Sequence, residues 1–265
     1  MNALETIQPP KSLRVLLIGD SCIDRYHYGT CERLSQEAPV PILKVLEVED
    51  RGGMALNVKA NLEGLGASVE MITNSETIVK SRYIDRKTRQ HLLRADLGEG
   101  NTTESLIPAD LDEVDFDSFD AIVLSDYDKG FLRIPMIKNI LLRSKNKKVF
   151  VDSKKSDLSC YENCIIKINE SEFNSVFHFP KNCELIVTRG ERGAIYKEEV
   201  YPTKKVEVFD VSGAGDTFLA ALAFSYIKSD DIKRSIGIAN RCSSVVVQKF
   251  GTYAIKEKDI YDLCI

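Results

Sequence analysis

The stretch Val208-Phe-Asp-Val-Ser-Gly-Ala-Gly-Asp-Thr-Phe218 is the most informative segment of this chain. Two glycines, Gly213 and Gly215, stand just before Asp216, and a strongly apolar helical run follows. The glycines alone are equally compatible with a turn that needs positive φ. At the start of a helix, however, free backbone N–H groups and the helix dipole favour an anion. An aspartate beside such a turn predicts phosphoryl transfer to a hydroxyl.

Length and composition are those of an ordinary soluble protein. The 265 residues, 43% of them hydrophobic, suffice for one large domain, which we place at 12–265 after a flexible lead-in at 1–11. A net charge of −4 argues against nonspecific nucleic-acid binding, and no apolar run approaches the ~20 residues that span a bilayer. Seven scattered cysteines indicate reduced thiols, and no signal peptide is evident. We therefore expect a cytoplasmic protein without a membrane or nucleic-acid partner.

Short apolar runs, each followed by a polar or glycine residue, are typical of buried parallel strands. Helix-compatible segments such as Ile134–Arg143 lie between some of them. This pattern predicts an α/β fold with a mainly parallel central sheet, whose strand ends face a common crevice. The runs are Val15–Ile18, Ile122–Leu124, Val149–Val151, Ile165–Ile168 and Leu185–Val187.

Two further regions indicate a small second sheet that forms a lid, from about 26–51 and 77–95. Val40–Val48 alternates apolar and polar residues, and Arg82–Arg94 has a turn-like centre typical of a hairpin. The exposed edge of Val40–Val48 suggests a homodimer through the lid. Residues 96–120 are acidic and turn-rich, and we interpret them as a loop with little chemistry.

Polar groups that could hold a polyhydroxy ligand follow the first strand. Asp24 lies shortly after that strand, and Gly52 and Gly53 precede a helix that carries Asn57. A diglycine lets a ligand approach the backbone closely, and the Asp24 and Asn57 side chains can bind adjacent hydroxyls. The alternative is an ordinary loop and helix start.

A candidate magnesium site lies at Asn169 and Glu172. These two side chains are three residues apart at a strand end entering a helix, so they share one face and can hold Mg²⁺ through water. The alternative is a helix cap with an acidic first turn, which can coexist with the metal role.

The string from Asp210 to Thr217 resembles the second signature of the PfkB, or ribokinase-like, carbohydrate kinases, and Gly52 to Asn57 resembles the first. The resemblance implies a ribokinase-like three-layer sandwich, use of ATP and Mg²⁺, and phosphoryl transfer to an alcohol group. It makes Asp216 the base and Gly213, Ala214 and Gly215 the anion hole, with Asp24, Gly52, Gly53 and Asn57 on the sugar. It assigns the nucleotide and its metal to Asn169, Glu172, Thr188, Arg189, Gly190, Asp210 and Asn240.

Several strings look like the heptose 7-phosphate kinase branch, so the implied acceptor is a sugar phosphate. They include Arg33–Pro41, Ser125–Gly130, Val151–Lys154 and Lys249–Thr252. A phosphorylated sugar needs cations, for which Arg33, Lys80, Arg82, Arg89, Arg94 and Lys129 are candidates. Lys129 is preferred, because Asp126 and Lys129 follow a predicted core strand.

The chain departs from this family in two places. About thirty or more residues that usually follow the strand near Asn74 are missing, so we expect changed substrate preference and lid closure. Ser212 stands where threonine is usual. No His-x-Gly-His motif occurs either, so we expect no nucleotidyltransferase activity in this stretch.

Three other functions are open to the sequence. One is a sugar- or nucleotide-binding protein without turnover, although a mere binder need not keep Asp216, Asn169 and Glu172. Another is a PfkB kinase for a different sugar. A dinucleotide oxidoreductase is disfavoured, because Gly19-Asp-Ser-Cys-Ile-Asp24 lacks the second and third glycines of that fingerprint, and no P-loop motif occurs.

Overall fold

The computed structural model describes residues 12–99, 104–256 and 258–259. The predicted flexible lead-in, 1–11, lies outside the described residues. The predicted division into one domain at 12–265 stays a prediction.

The main sheet has eight strands in the order β12-β11-β10-β9-β8-β7-β1-β4. All neighbours from β10 to β4 are parallel, and only the pairs β10–β11 and β11–β12 are antiparallel. The predicted mainly parallel sheet is therefore confirmed. The strands are β1 (Arg14–Gly19), β4 (Ser68–Thr73), β7 (Ala121–Asp126), β8 (Lys148–Ser153), β9 (Ile165–Asn169), β10 (Glu184–Thr188), β11 (Ala194–Tyr196) and β12 (Glu199–Tyr201).

Successive side chains of the buried strands point to opposite faces of the main sheet, and helices pack on both faces, which gives three layers. Leu17 and Val123 point into one core with α1, α4 and α5, whereas Leu16 and Ile122 point into the other with α2. The predicted helix at Ile134–Arg143 is confirmed as α2. The helices are α1 (Ala55–Gly64), α2 (Ile134–Arg143), α3 (Glu170–Ser175), α4 (Ala214–Ser229) and α5 (Ile232–Val246).

A four-stranded sheet, here called the lid sheet, has the order β3-β2-β5-β6. It contains both predicted exposed strands, and Arg82–Arg94 does form most of a hairpin. The long strands β2 and β3 pair antiparallel, and β2 also pairs parallel with β5. Their bounds are β2 (Ser21–Leu34), β3 (Pro41–Met54), β5 (Val79–Asp85) and β6 (His91–Leu97).

The predicted loop at 96–120 begins with the end of β6, and its described part after that strand contains two short 3-10 helices, Pro108–Leu111 and Phe116–Ser118. Leu106, Leu111 and Phe116 are buried in the core that packs on α2, so apolar burial fixes this segment. Glu99 forms ion pairs with Lys129 and Lys80, which places a charge from the segment beside the lid sheet.

The connection from β4 to β5 is short. This agrees with the sequence, which lacks about thirty residues that similar kinases have at this position. The Asn74 side chain closes it: its oxygen accepts from the Ser21 N–H at 2.7 Å, and its amide donates to the Glu76 carbonyl at 2.6 Å. Within the described ranges, β4 is the last strand on its side of the sheet. No helix in those ranges is both long and apolar enough to cross a bilayer.

Candidate active site

The N-cap of helix α4 is Gly213, whose φ of 78° lies in the left-handed region. A Cβ at this position would lie 2.4 Å from the Asn57 side-chain nitrogen, so both conformation and space require glycine. The turn places the start of α4 beside Lys167 of the parallel strand β9, and the N-terminal end of a helix favours an anion. Within the turn, the Ala214 N–H donates to the Val211 carbonyl at 3.2 Å.

Asp216 lies in the first turn of α4 between two hydrogen-bond donors. Its Oδ2 accepts from the Asn57 amide of α1 at 2.9 Å, and its Oδ1 accepts from the Tyr127 hydroxyl at 2.7 Å. Asn57 is itself held by the Asn61 amide, which donates to both the Asn57 carbonyl and its side-chain oxygen. Asp216 is only 3% exposed, so the carboxylate at the crevice is covered rather than open.

Burial raises the pKa of Asp216 to about 6, although the Asn57 and Tyr127 hydrogen bonds act in the opposite direction. At neutral pH the group is therefore ionised and is a stronger base than an exposed aspartate. A carboxylate with this pKa is suited to accept a proton from a hydroxyl near pH 7.

A chain of buried charges runs beside Asp216. The Lys167 Nζ lies 2.6 Å from Asp152 Oδ2, and Lys154 Nζ joins Asp152 (3.1 Å) to Glu172 (2.5 Å). Although burial disfavours its charge, the two ammonium groups hold the pKa of Asp152 below its usual range. The chain thus links the Glu172 end of the crevice to the start of α4.

Gly215 is needed for this arrangement. A Cβ there would lie 2.8 Å from the Lys167 Nζ, so the lysine ammonium lies directly against the backbone of the glycine turn. A positive charge behind the first turn of α4 adds to the attraction of that turn for an anion.

The predicted sugar-binding residues lie next to this turn. Asp24 is buried and accepts from Arg82 at 2.6 Å, and a Cβ on Gly53 would lie 2.5 Å from Asp24 Oδ2. The buried Cys22 thiol has its pKa raised to about 12 by burial and by both the Asp24 and Asp216 carboxylates. The Tyr127 ring, whose hydroxyl donates to Asp216, packs against Cys22, and a Cβ on Gly53 would lie 2.7 Å from the Cys22 Sγ. One short series of contacts thus joins Asp216 to Asp24. Gly52 packs its bare Cα against Leu56.

Asp126 and Lys129 differ in their surroundings. The Asp126 carboxylate is fully buried and accepts from Tyr161, Ser153 and the Asp128 N–H, so its oxygens are occupied by structural contacts. Lys129 is partly exposed and pairs with Glu99 at 2.6 Å. Of the two, only Lys129 is within reach of a ligand.

A cavity of about 340 Å³ opens on the other side of the glycine turn. Three predicted nucleotide residues, Thr188, Gly190 and Asn240, line it, whereas Arg189 and Asp210 do not. Asp210 instead accepts from the Ser212 and Gly251 N–H groups, which shapes the turn. Apolar walls with a few polar groups fit a planar base. The walls also include Val206, Val208, Phe218, Ser244 and Val247.

Asn169 and Glu172 form a reciprocal helix cap. The Glu172 N–H donates to Asn169 Oδ1 at 2.9 Å, and the Asn169 N–H donates to Glu172 Oε2 at 2.7 Å. Since Lys154 holds the other Glu172 oxygen, a magnesium ion fits here only through water molecules. Within the described ranges, no group of three or more His, Cys, Asp or Glu side chains could hold a metal ion by itself.

Comparison with known proteins finds similar carbohydrate kinases. The model of the pfkB family carbohydrate kinases matches residues 137–259. The bifunctional protein HldE of Pseudomonas fluorescens is 33% identical over 93% of this chain. The predicted likeness to the PfkB carbohydrate kinases is thereby confirmed. The chain spans 62% of the length of the Pseudomonas protein.

Solved structures of ribokinases share the fold. A protein described as a ribokinase, from Agrobacterium tumefaciens, aligns with a TM-score of 0.72 at 13% identity, and the alignment covers 96% of this chain and 98% of that one. Ribokinase from Arabidopsis thaliana, solved with ribose and ATP, aligns with a TM-score of 0.68 at 16% identity, covering 96% and 99%. At these identities the likeness confirms the ribokinase-like fold.

Two residues of the candidate active site were not predicted from the sequence. Tyr127 stands inside a motif that we quoted, but nothing in the motif indicates its contact with Asp216. Lys167 lies within the apolar strand β9, and a lysine in such a run is itself a signal, because a buried ammonium needs a carboxylate partner. The sequence did not identify that partner.

Proposed function

We propose that this protein transfers a phosphoryl group from ATP to a hydroxyl of a sugar phosphate, with heptose 7-phosphate as the acceptor. The observation that carries the proposal is the position of Asp216. It lies in the first turn of α4, next to Ala214 and Gly215 in the wall of the nucleotide-sized cavity, and the contacts of Tyr127 and Cys22 connect it to the Asp24 region.

In this proposal ATP occupies the cavity lined by Thr188, Gly190 and Asn240, with its phosphates directed to the glycine turn at 213–215. Bound Mg²⁺·ATP supplies the phosphoryl group and neutralises part of its charge. Asn169 and Glu172 would hold the ion through water. The amides of residues 213–215 and the Lys167 ammonium stabilise negative charge at the start of α4.

The acceptor lies on the other side of the turn, where Asp24 and Asn57 bind its hydroxyls. Asp216 takes the proton from the hydroxyl that attacks; the transition state of phosphoryl transfer is loose, so a base with a pKa of about 6 suffices. The partly exposed Lys129 and the lid cation Lys80 are the candidates for the phosphate of the acceptor. Arg82 contributes through its ion pair with Asp24.

The substrate assignment is supported by sequence likeness and by charge. The motifs quoted above resemble the heptose 7-phosphate kinase branch, and the relatives that match over most of this chain are named bifunctional protein HldE. Lysines next to the Asp24 region also favour an acceptor that already carries an anionic group.

The test is ADP release with Mg²⁺·ATP and a panel of sugars and sugar phosphates that includes heptose 7-phosphate. We expect turnover with the heptose phosphate, and we expect Asp216→Asn to lower kcat by a factor of roughly 10²–10⁴ while ATP affinity stays similar. Asp230→Asn is a matched control, because Asp230 caps the opposite end of the same helix.

Near-normal turnover in Asp216→Asn would reject the role of this residue as base. Binding of the nucleotide and sugar by calorimetry without any ADP release would instead favour the second candidate, a binding protein that has lost catalysis. Turnover with a different sugar only would retain the kinase and correct the substrate.

A further inference from the structure

Tyr127 covers one oxygen of the proposed base. The Asn57 amide donates to Asp216 Oδ2, and the Tyr127 hydroxyl donates to Oδ1 at 2.7 Å. A base must receive its proton through a direct hydrogen bond from the reacting group. Each carboxylate oxygen can accept a second hydrogen bond, but Asp216 is only 3% exposed, so a sugar hydroxyl reaches it only when a covering group moves.

The two donors are anchored differently. Asn57 lies within helix α1 and is fixed by two hydrogen bonds from Asn61. Tyr127 follows the last residue of β7, in a turn where Asp128 and Gly130 both have positive φ (55° and 98°). Its backbone N–H donates to Asp20 Oδ2 at 2.8 Å, so the main chain is held. Among the described residues, the hydroxyl bonds to Asp216 alone.

The Tyr127 side chain borders solvent, and a displacement would exchange its packing contacts. The ring packs against the cluster of Cys22, Met54 and Ile78, with Lys154 Nζ at 5.2 Å and Lys80 Nζ at 5.7 Å from its centre. The residue is partly exposed, whereas Asp216 is buried. Like an alcohol, the phenol donates an O–H to the carboxylate.

We propose that the Tyr127 hydroxyl holds the place of the acceptor hydroxyl on Asp216 and leaves it when the sugar arrives. This inference rests on the proposed role of Asp216 as the base. Until the acceptor binds, the phenol keeps water off a carboxylate that would otherwise activate water against ATP, the side reaction that a kinase must suppress. The acceptor replaces one O–H···O⁻ hydrogen bond by another, so the exchange loses no hydrogen bond.

The main test measures ADP release by Tyr127→Phe in ATP and MgCl₂ without any acceptor. Removing the phenol oxygen leaves a water-sized gap beside Asp216, so we expect acceptor-independent hydrolysis to rise by about tenfold over the wild-type protein. With heptose 7-phosphate we expect KM to fall and kcat to stay within about threefold, because the displacement step is lost while the base is kept.

Tyr161→Phe is the matched control. The Tyr161 hydroxyl donates to Asp126 Oδ2 at 2.6 Å, so this variant loses the same kind of bond to a buried aspartate elsewhere in the molecule. We expect no change in its acceptor-independent hydrolysis. In the double variant Asp216→Asn with Tyr127→Phe, the added hydrolysis should vanish, because water then has no base.

Unchanged hydrolysis in Tyr127→Phe, or a fall in kcat without any fall in KM, would overturn the proposal, since both indicate a tyrosine that stays on Asp216 and only orients it. If the variant does not fold, the wild-type protein decides through a crystal structure with heptose 7-phosphate bound. A Tyr127 oxygen still within hydrogen-bond distance of Asp216 there contradicts the displacement. Normal turnover by Asp216→Asn alone would instead reject the proposed function.

Discussion

At the scale of single residues, two buried aspartates near the glycine turn have pKa values shifted in opposite directions. Burial raises the pKa of Asp216 to about 6, and the hydrogen bonds from Asn57 and Tyr127 offset only part of that rise. Asp152 is as deeply buried, yet Lys167 and Lys154 hold its pKa below the usual range. Environments that separate the pKa values of neighbouring carboxyl groups are typical of sites where one group moves a proton and the other provides fixed charge.

The pKa of Asp216 predicts how activity depends on pH. The base works only when ionised, so kcat should be level above pH 7 and should fall below about pH 6, approaching tenfold per pH unit. The measurement is kcat at saturating substrate from pH 5 to 8. Burial also raises the pKa of Asp20 to about 6, so Asp20→Asn is the control, and we expect it to keep the acid limb. A flat profile down to pH 5 would contradict the prediction.

At the scale of elements, strand register produces the charge chain. Asp152 on β8 and Lys167 on β9 are direct partners in two parallel strands, so their side chains emerge side by side on the same face. The start of α4 packs over them, and Gly215 leaves the space for the lysine ammonium. A buried ion pair contributes little net stability, but one partner without the other is costly.

Lys167→Met should therefore destabilise the protein. Asp152 would keep only Lys154 as a cation, and we expect the free energy of unfolding to fall by about 3 kcal/mol. Urea denaturation measures this loss. Lys148→Met, an exposed lysine on β8, is the control and should change stability by less than about 0.5 kcal/mol. A loss below about 1 kcal/mol for Lys167→Met would show that Asp152 is not charged in the folded protein.

At the scale of the whole molecule, the lid sheet ends on the long strand β3, whose outer edge pairs with no other strand in the described part of the chain. β3 is the outermost strand, and the apolar residues Val45, Leu46 and Val48 on it are all more than 40% exposed. Such an edge is prone to pair with another chain. The homodimer predicted from the sequence thus remains a prediction, now with a specific surface.

We expect the 29.8 kDa chain to sediment as a dimer, and Leu46→Lys with Val48→Lys to shift it to the monomer. Charged side chains placed on the unpaired edge oppose strand pairing while leaving the β2–β3 contacts in place. Leu142→Lys, a change at an exposed leucine of α2, is the control and should leave the dimer intact. A wild-type monomer at micromolar concentration would reject this interface.

The sequence by itself determined the parallel sheet, the glycine turn before α4 and the likeness to the PfkB kinases, because these depend on local patterns: apolar runs, polar strand ends and contiguous motifs. Only the tertiary structure decided that Tyr127 covers Asp216, that Lys167 pairs with Asp152, and that Asp126 is occupied by Tyr161. Each of these contacts joins residues 15 to 89 positions apart. Strand register and helix packing decide which of these distant residues meet, and neither can be read from any short stretch of the sequence.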